Sequence, residues 1–292
     1  MHGTPITPGY LLDQLAGGSF CVSHSSPHQL HRVMELLAPH SLLLLDNGAF
    51  SRWKAGRGVI DREHFWLWAN EAQELCELAI AVIPDVIGGA EDANWREASC
   101  AVRSSLSAYP ERCMFIWHMN ESFEGLARAA RLFNFVGIGS CAQFDVQRYP
   151  ERYRERLRHA SAVLDYVELF HGRRPFVHLM RGLGVLHQFT RFDSADSTNI
   201  ARNHHLARNE PRHVAALAAR IEGRIRRHCI AGGVAHPTSN FEEGPSESVV
   251  QGQSLAHAHD LLRQLVERIQ HGDTRWLNLN ATKLLDSDPS AD

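Results

Sequence analysis

Short apolar runs at 20–22, 42–45, 78–83, 114–117, 133–138 and 176–180 alternate with longer amphipathic segments at 28–37, 62–78, 92–106, 122–132 and 151–170. Within 62–78, Phe65, Trp66, Ala69, Ala72, Gln73 and Cys76 fall close to a stripe of period 3.6, which predicts a helix with one buried face. Strand-like runs alternating with helix-like segments predict parallel βαβ units, in either an open doubly wound sheet or a (β/α)8 barrel. Nearly every run ends in a polar or glycine residue. Asp46 follows Leu45, Asp85 follows Pro84, His118 follows Trp117, Gly139 follows Ile138 and Arg181 follows Met180, with Asp193 after Phe192 as a further candidate. In a barrel the carboxyl ends of the strands converge on one mouth, so residues at these places surround one small substrate. The dinucleotide-binding alternative wants GxGxxG after the first strand. That motif is absent there, and Gly182-Leu183-Gly184 comes late and lacks a third glycine. The expectation is one α/β domain over 1–292, a shortened (β/α)8 TIM-type barrel. Its core spans about 15–230, followed by a loop over 230–254 and a helical segment over 255–285, and the eighth strand has no clear signature.

Composition narrows the class. With 292 residues, 44% hydrophobic, 22% charged and a net charge of −3, the chain is neither a disordered tail nor a polycation that coats nucleic acid. The basic residues are nearly all arginine, Lys54 and Lys283 being the only lysines, which suits forked recognition of phosphate. Cys21, Cys76, Cys100, Cys113, Cys141 and Cys229 show no CxC or CxxC spacing, so reduced thiols and no structural zinc are expected. The first residues carry neither a basic nor an apolar leader region, and no apolar run approaches a membrane span. A cytoplasmic protein without a membrane partner is the expectation. His204-His205 and His257-x-His259 do not follow strand-like runs, so no metal is expected.

Candidate chemistry gathers at the run ends. Asp46-Asn47-Gly48 and Asp85-Val86-Ile87-Gly88-Gly89 each set a carboxylate before a glycine turn, to present an acid or to cap a loop or helix. The stretch 192–203 is the densest polar segment, with Asp193, Asp196, Ser197, Thr198, Asn199 and Arg202. Here Asp196 or Ser197 is expected to cap a helix. His118 is placed to donate to a ligand carbonyl. The arginines at 148–158 alternate with Glu151 and Glu155 and read as a solvated helix face, whereas Arg220, Arg224, Arg226 and Arg227 are balanced only by Glu222 and suit a phosphate backbone.

Residues 192–203 resemble the nucleophile segment of the tRNA-guanine transglycosylases, with Phe192, Asp193, Thr198, Ala201, Arg202 and Asn203 matching in register. Asp46-Asn47-Gly48-Ala49-Phe50 is similar to that family's Asp-Ser-Gly-Gly-Phe, Ile138-Gly139-Ser140 to its Ile-Gly-Gly, and 179–184 to its Leu-Met-Gly-Val-Gly. The tags occur in the family's order over roughly 40 to 205. The family's zinc subdomain has no counterpart, because only Cys229 remains in that region. Asn199 stands where the family has an arginine, and His118 where it has a glutamine. These departures look most like the DpdA-type branch, which exchanges guanine in DNA for a 7-deazaguanine.

The resemblance implies a pentosyltransferase without a cofactor. Asp193 would be the nucleophile at the sugar C1′ and Asp46 the general acid and base. Asp85 would read the N1–H and 2-amino edge of the base, while His118, Gly139 and Ser140 hold its 6-oxo group and 7-substituent and Met180 packs on its face. Arg181, Arg202 and Arg224 would meet phosphates. The implied partners are DNA, a 7-deazaguanine of the preQ0 type and a helicase-like protein that opens the duplex, in the cytoplasm of a bacterial or phage-infected cell. An enzyme acting on tRNA, a non-catalytic barrel subunit and an unrelated glycoside-cleaving barrel are the competing readings.

Overall fold

The computed structural model describes residues 1–103 and 106–197. The expected loop at 230–254, the helical segment at 255–285, Cys229, both histidine pairs, Arg202 and the arginines around Arg224 lie outside them. Eight parallel strands form one curled sheet in chain order: β1 (His2–Gly3), β2 (Phe20–Ser23), β3 (Leu43–Asp46), β4 (Ala79–Val82), β5 (Cys113–His118), β6 (Phe135–Gly139), β7 (Phe176–Leu179) and β8 (Ser194–Ala195). This sequential order excludes the doubly wound alternative, whose strand order reverses at a switch point. Among the described residues, seven α-helices connect the strands: α1 (Tyr10–Asp13), α2 (Leu30–Leu36), α3 (Ala49–Lys54), α4 (Arg62–Leu75), α5 (Glu91–Arg103), α6 (Phe123–Leu132) and α7 (Pro150–His171).

The sheet begins at His2, well ahead of the expected core boundary near residue 15. Its two ends also touch. His2 bridges Ser197 in parallel, the Gly3 N–H donates to the Ser197 carbonyl at 3.0 Å, and the Ser197 N–H donates to the Met1 carbonyl at 3.0 Å.

Strands buried on both faces are apolar throughout, which is why the leucine run of β3 and the Ala-Ile-Ala-Val of β4 carry no alternation. Alternate residues nonetheless point to opposite sides. Cys21, Leu44, Ile80, Val82, Met114 and Ile116 form an inner cluster, and Phe20, Leu43, Leu45, Ala81, Phe115 and Trp117 join the larger cluster beneath the helices. Local capping sets the helix starts. Asp61 accepts from the His64 N–H ahead of α4, and Ser122 accepts from the Gly125 N–H ahead of α6. The predicted stripe on α4 is buried at Phe65, Trp66, Ala69, Ala72 and Gln73, but the helix stops at Leu75 so that β4 can start at Ala79.

Candidate active site

The strand parity that builds the inner cluster also sorts the acids. Asp46 lies two residues beyond inward Leu44, and His118 two beyond inward Ile116, so both face inward at the carboxyl ends of β3 and β5. Met180, just past β7, packs on the inner cluster. Opposite them, His178 Nδ1 meets Ser194 Oγ at 2.7 Å inside the sheet, which makes Asp196, two residues further along, the inward carboxylate after β8.

Asp193 does not join this group. It precedes β8, donates its N–H to the Val177 carbonyl at 2.8 Å, accepts the Val177 N–H on Oδ2 at 2.7 Å and stands 3.4 Å from Arg174. Val177 is the second residue of β7, so Asp193 belongs to the amino-terminal side of the sheet, away from the mouth. The expectation that Asp193 ends a strand is therefore corrected. The strand-end carboxylate is Asp196, and it turns into the sheet's interior; the helix that Asp196 or Ser197 is expected to cap would lie outside the described residues.

The environments of the mouth acids differ. Burial pushes the Asp46 carboxyl up from an ordinary 3.8 to about 6; the charges of Asp85 and Asp196 add to this, against hydrogen bonds from the Ser23 hydroxyl and the Gly48 N–H. Gly48 takes φ +78°, and a Cβ there would come within 3.0 Å of the Ser25 nitrogen, so this turn requires glycine. Asp196 moves the other way. Burial opposes its charge, but the His178 ring, the Arg181 N–H and the Met1 ammonium group outweigh that and hold its carboxyl below the usual range. His178 Nε2 lies 3.4 Å from Asp196 Oδ1 and is driven toward the neutral form by burial. The tautomer that serves both neighbours accepts from Ser194 on Nδ1 and turns Nε2–H to Asp196. Arg181 adopts φ +60°, unusual for a residue with a side chain, and its N–H donates to Asp196 Oδ1.

Asp85 and His118 make a second cluster. His118 Nε2 sits 2.9 Å from Asp85 Oδ2. Burial would lower the imidazole's pKa, but Asp85, with help from Glu121, overrides it and raises it. Asp85 Oδ1 accepts from Asn47 Nδ2 at 2.9 Å, and the same amide group donates to the Ile83 carbonyl while Asn47 Oδ1 caps the Ala49 N–H. Glu121 accepts from the His118 N–H at 3.1 Å and from Asn94 Nδ2 at 2.5 Å. Gly139 is what admits the imidazole, because a Cβ there would lie 2.9 Å from His118 Nδ1. Ser140 follows as an exposed residue. A cavity of about 330 Å³ opens beside Asp85, lined by Ala49, Trp53, Ile60, Pro84, Val86 and Ile87 among others.

Comparison with protein-family models, curated proteins and solved structures finds no match.

The structure thus gathers Asp46, Asp85, His118, Gly139 and Met180 at one end of the sheet, with Arg181 at the rim, where its guanidinium stacks 4.3 Å from the Phe50 ring centre. Asp196 was named in the sequence as one of two acids in the polar stretch 192–203 and as a cap, without a catalytic role. Ser23, Asn47, Glu121 and His178 carried no signal beyond lying at or near a strand. Among the described residues no group of three or more His, Cys, Asp or Glu has the geometry of a metal site, and no helix is long and apolar enough to cross a membrane.

Proposed function

We propose that the chain is a divergent transglycosylase of the tRNA-guanine transglycosylase type, one that exchanges guanine in DNA for a 7-deazaguanine through a covalent aspartyl-glycosyl intermediate on Asp196. The observation that carries this is the pair of carboxylates at one mouth with opposed proton affinities, Asp196 held ionised and Asp46 raised to about 6. Such a pair divides naturally into nucleophile and proton carrier. The Asp196 carboxylate attacks C1′ as the C1′–N9 bond breaks, and protonated Asp46 supplies the proton taken by the departing guanine. The Asp46 carboxylate then accepts the N9 proton of the incoming base. That nitrogen attacks C1′ and expels Asp196. Asp85, oriented by Asn47 and His118, supplies acceptors for the N1–H and 2-amino edge, and the apolar wall beside it suits a purine face. The target nucleotide has to leave a duplex stack, so single-stranded DNA or a partner that opens the duplex belongs to the same reading.

The architecture proposed with it is a closed (β/α)8 barrel. Carried from His2 through the register of seven strand pairs, hydrogen-bonded neighbours reach β8 at Phe189, whereas the direct bridge joins His2 to Ser197. The stagger of eight residues over eight strands is that of a TIM-type barrel.

Incubating the protein with single-stranded DNA or tRNA and 7-cyano-7-deazaguanine, then analysing nucleosides by mass spectrometry, tests the reading. A modified deoxynucleoside that disappears in Asp196→Asn is expected. Modified tRNA alone would transfer the activity to RNA. Free base released without a second base would mark a hydrolase, and no change in either nucleic acid would leave a non-catalytic subunit.

A further inference from the structure

A second cavity, of about 290 Å³, lies on the other side of α3 from the one beside Asp85 and is lined by Thr4, Pro5, Ser23, Ser25, Ser26, Ser51, Arg52, Ala55 and Arg57. Its chemistry is one-sided. Five hydroxyl-bearing residues and two arginines line it, and none of the lining residues carries a carboxylate. Guanidinium groups only donate, and the hydroxyls that are not already donating elsewhere can turn to donate, so the cavity suits a ligand rich in acceptors. A cation finds no counter-charge there. A neutral sugar, which must also donate, finds only hydroxyl oxygens.

Two further observations point to a missing ligand. Thr4, a lining residue that is 9% exposed, has its hydroxyl oxygen buried without a hydrogen-bond partner, so a small side-chain turn would give it a ligand acceptor. Buried hydroxyls left unpaired are uncommon and call for an explanation. Arg52 is also fixed in place, donating to the Val59 carbonyl from Nε and to the Arg57 carbonyl from Nη2, so its charge stands at the cavity wall without further ordering. Ser23 connects the two sites. Its hydroxyl lies 3.0 Å from that of Ser25 within the cavity and also reaches Asp46.

We propose that this cavity is a phosphate site, and that it holds a phosphodiester flanking the nucleotide whose sugar faces Asp46. The assignment to a phosphodiester rests on the base-exchange reading; the phosphate chemistry of the cavity does not. Strand direction follows from it, because the phosphate lies on the β1–β2 side of Asp46 and the base beside Asp85 on the β4 side.

The test is binding by the full chain, which needs no turnover. Calorimetric titration with inorganic phosphate is expected to show a single site in the wild type, weakened at least tenfold in Arg57→Ala and in Ser51→Ala, two exposed positions whose replacement leaves the core intact. Anisotropy with a labelled single-stranded oligodeoxynucleotide is then compared with the same oligonucleotide carrying one neutral methylphosphonate linkage, moved stepwise past a guanine. One linkage position is expected to weaken binding in the wild type and to have no further effect in Arg57→Ala, with the slope of log affinity against log salt falling by about one in that variant. Phosphate binding that both variants leave unchanged, or no phosphate binding at all, overturns the site. Phosphate binding with a flat linkage scan overturns the phosphodiester and identifies a free phosphate as the occupant. Loss of base exchange with both binding results intact overturns the activity and leaves the site standing.

Discussion

Asp193 and Asp196 differ by three positions and lie at opposite ends of the two-residue β8. Asp193 takes the Val177 N–H with a charged acceptor in a buried place, so Asp193→Asn is expected to lower stability by about 1–3 kcal/mol through a weakened or lost acceptor. Turnover per folded molecule should be unchanged. Asp196→Asn is expected to abolish turnover. Denaturant unfolding and single-turnover assays on both variants separate the two, and loss of turnover in Asp193→Asn with normal stability would reverse the assignment. Asp46 adds a pH signature. Its carboxyl titrates at about 6 when folded against an ordinary 3.8, so the folded state's preference for the proton is fully present below 3.8 and is lost as pH rises through 6. The wild type should lose about 3 kcal/mol of stability across that window from this group alone, at 1.36 kcal/mol per pH unit. Asp46→Asn, which cannot ionise, should gain on the wild type at pH 8 relative to pH 4 in urea titrations, while losing activity. Equal pH dependence in the two proteins would remove Asp46 from the role of proton carrier. Asp196 has the opposite sign: its stabilising charge is present above the unfolded carboxyl range and is lost on acidification.

At the level of elements, legibility followed length and apolar content. The runs at 42–45, 114–117 and 176–180 became β3, β5 and β7 within a residue or so, because a strand buried on both faces must be apolar along its whole length. β1 and β8 have two residues each, and Ser194 is polar because it meets His178 across the sheet interior, so neither leaves a run to read. Missing β8 shifted the choice of the proposed nucleophile. With no strand to set parity, the resemblance to a nucleophile segment chose Asp193, whereas the backbone brings Asp196 inward. The arginine-rich helix α7 held another departure. Arg154 pairs with Glu151 at 2.6 Å as a solvated face should, but Arg156 lies 3.8 Å over the Phe123 ring and donates to the Glu121 carbonyl. Gly139, at the end of β6, is expected from the resemblance to help hold the 6-oxo group and 7-substituent of the base, and its first use is room for His118. Gly139→Ala is expected to push the imidazole off Asp85 and to cost about 1–3 kcal/mol of stability by overpacking. In the base-exchange assay it should raise the KM for the incoming base more than it lowers kcat. A kcat effect alone would place Gly139 in the chemistry instead.

Across the whole molecule, the seam between β1 and β8 decides how the mouth is held. Its hydrogen bonds include Gly3 N–H to Ser197 carbonyl, Ser197 N–H to Met1 carbonyl, and the Met1 ammonium to the Ala195 carbonyl at 2.6 Å. Asp196 sits inside that seam, between Ala195 and Ser197, so the position of the proposed nucleophile depends on the first and last strands staying together. If the sheet closes there, opening the seam means opening the barrel, and the seam amides share the protection of the core strands. If it does not, they fray as a sheet edge does. Hydrogen exchange resolved to single amides is expected to find Gly3 and Ser197 protected to within about tenfold of Leu44 and Ile116. Gly3→Pro removes the Gly3 donor without adding a charge, and should lower the melting midpoint by several degrees while speeding exchange at Ser197. It should also slow formation of the Asp196 adduct at saturating DNA, because the carboxylate would lose its fixed backbone on one side. Fast exchange at both seam amides in the wild type, with a melting midpoint indifferent to Gly3→Pro, would describe an open sheet and require another support for Asp196.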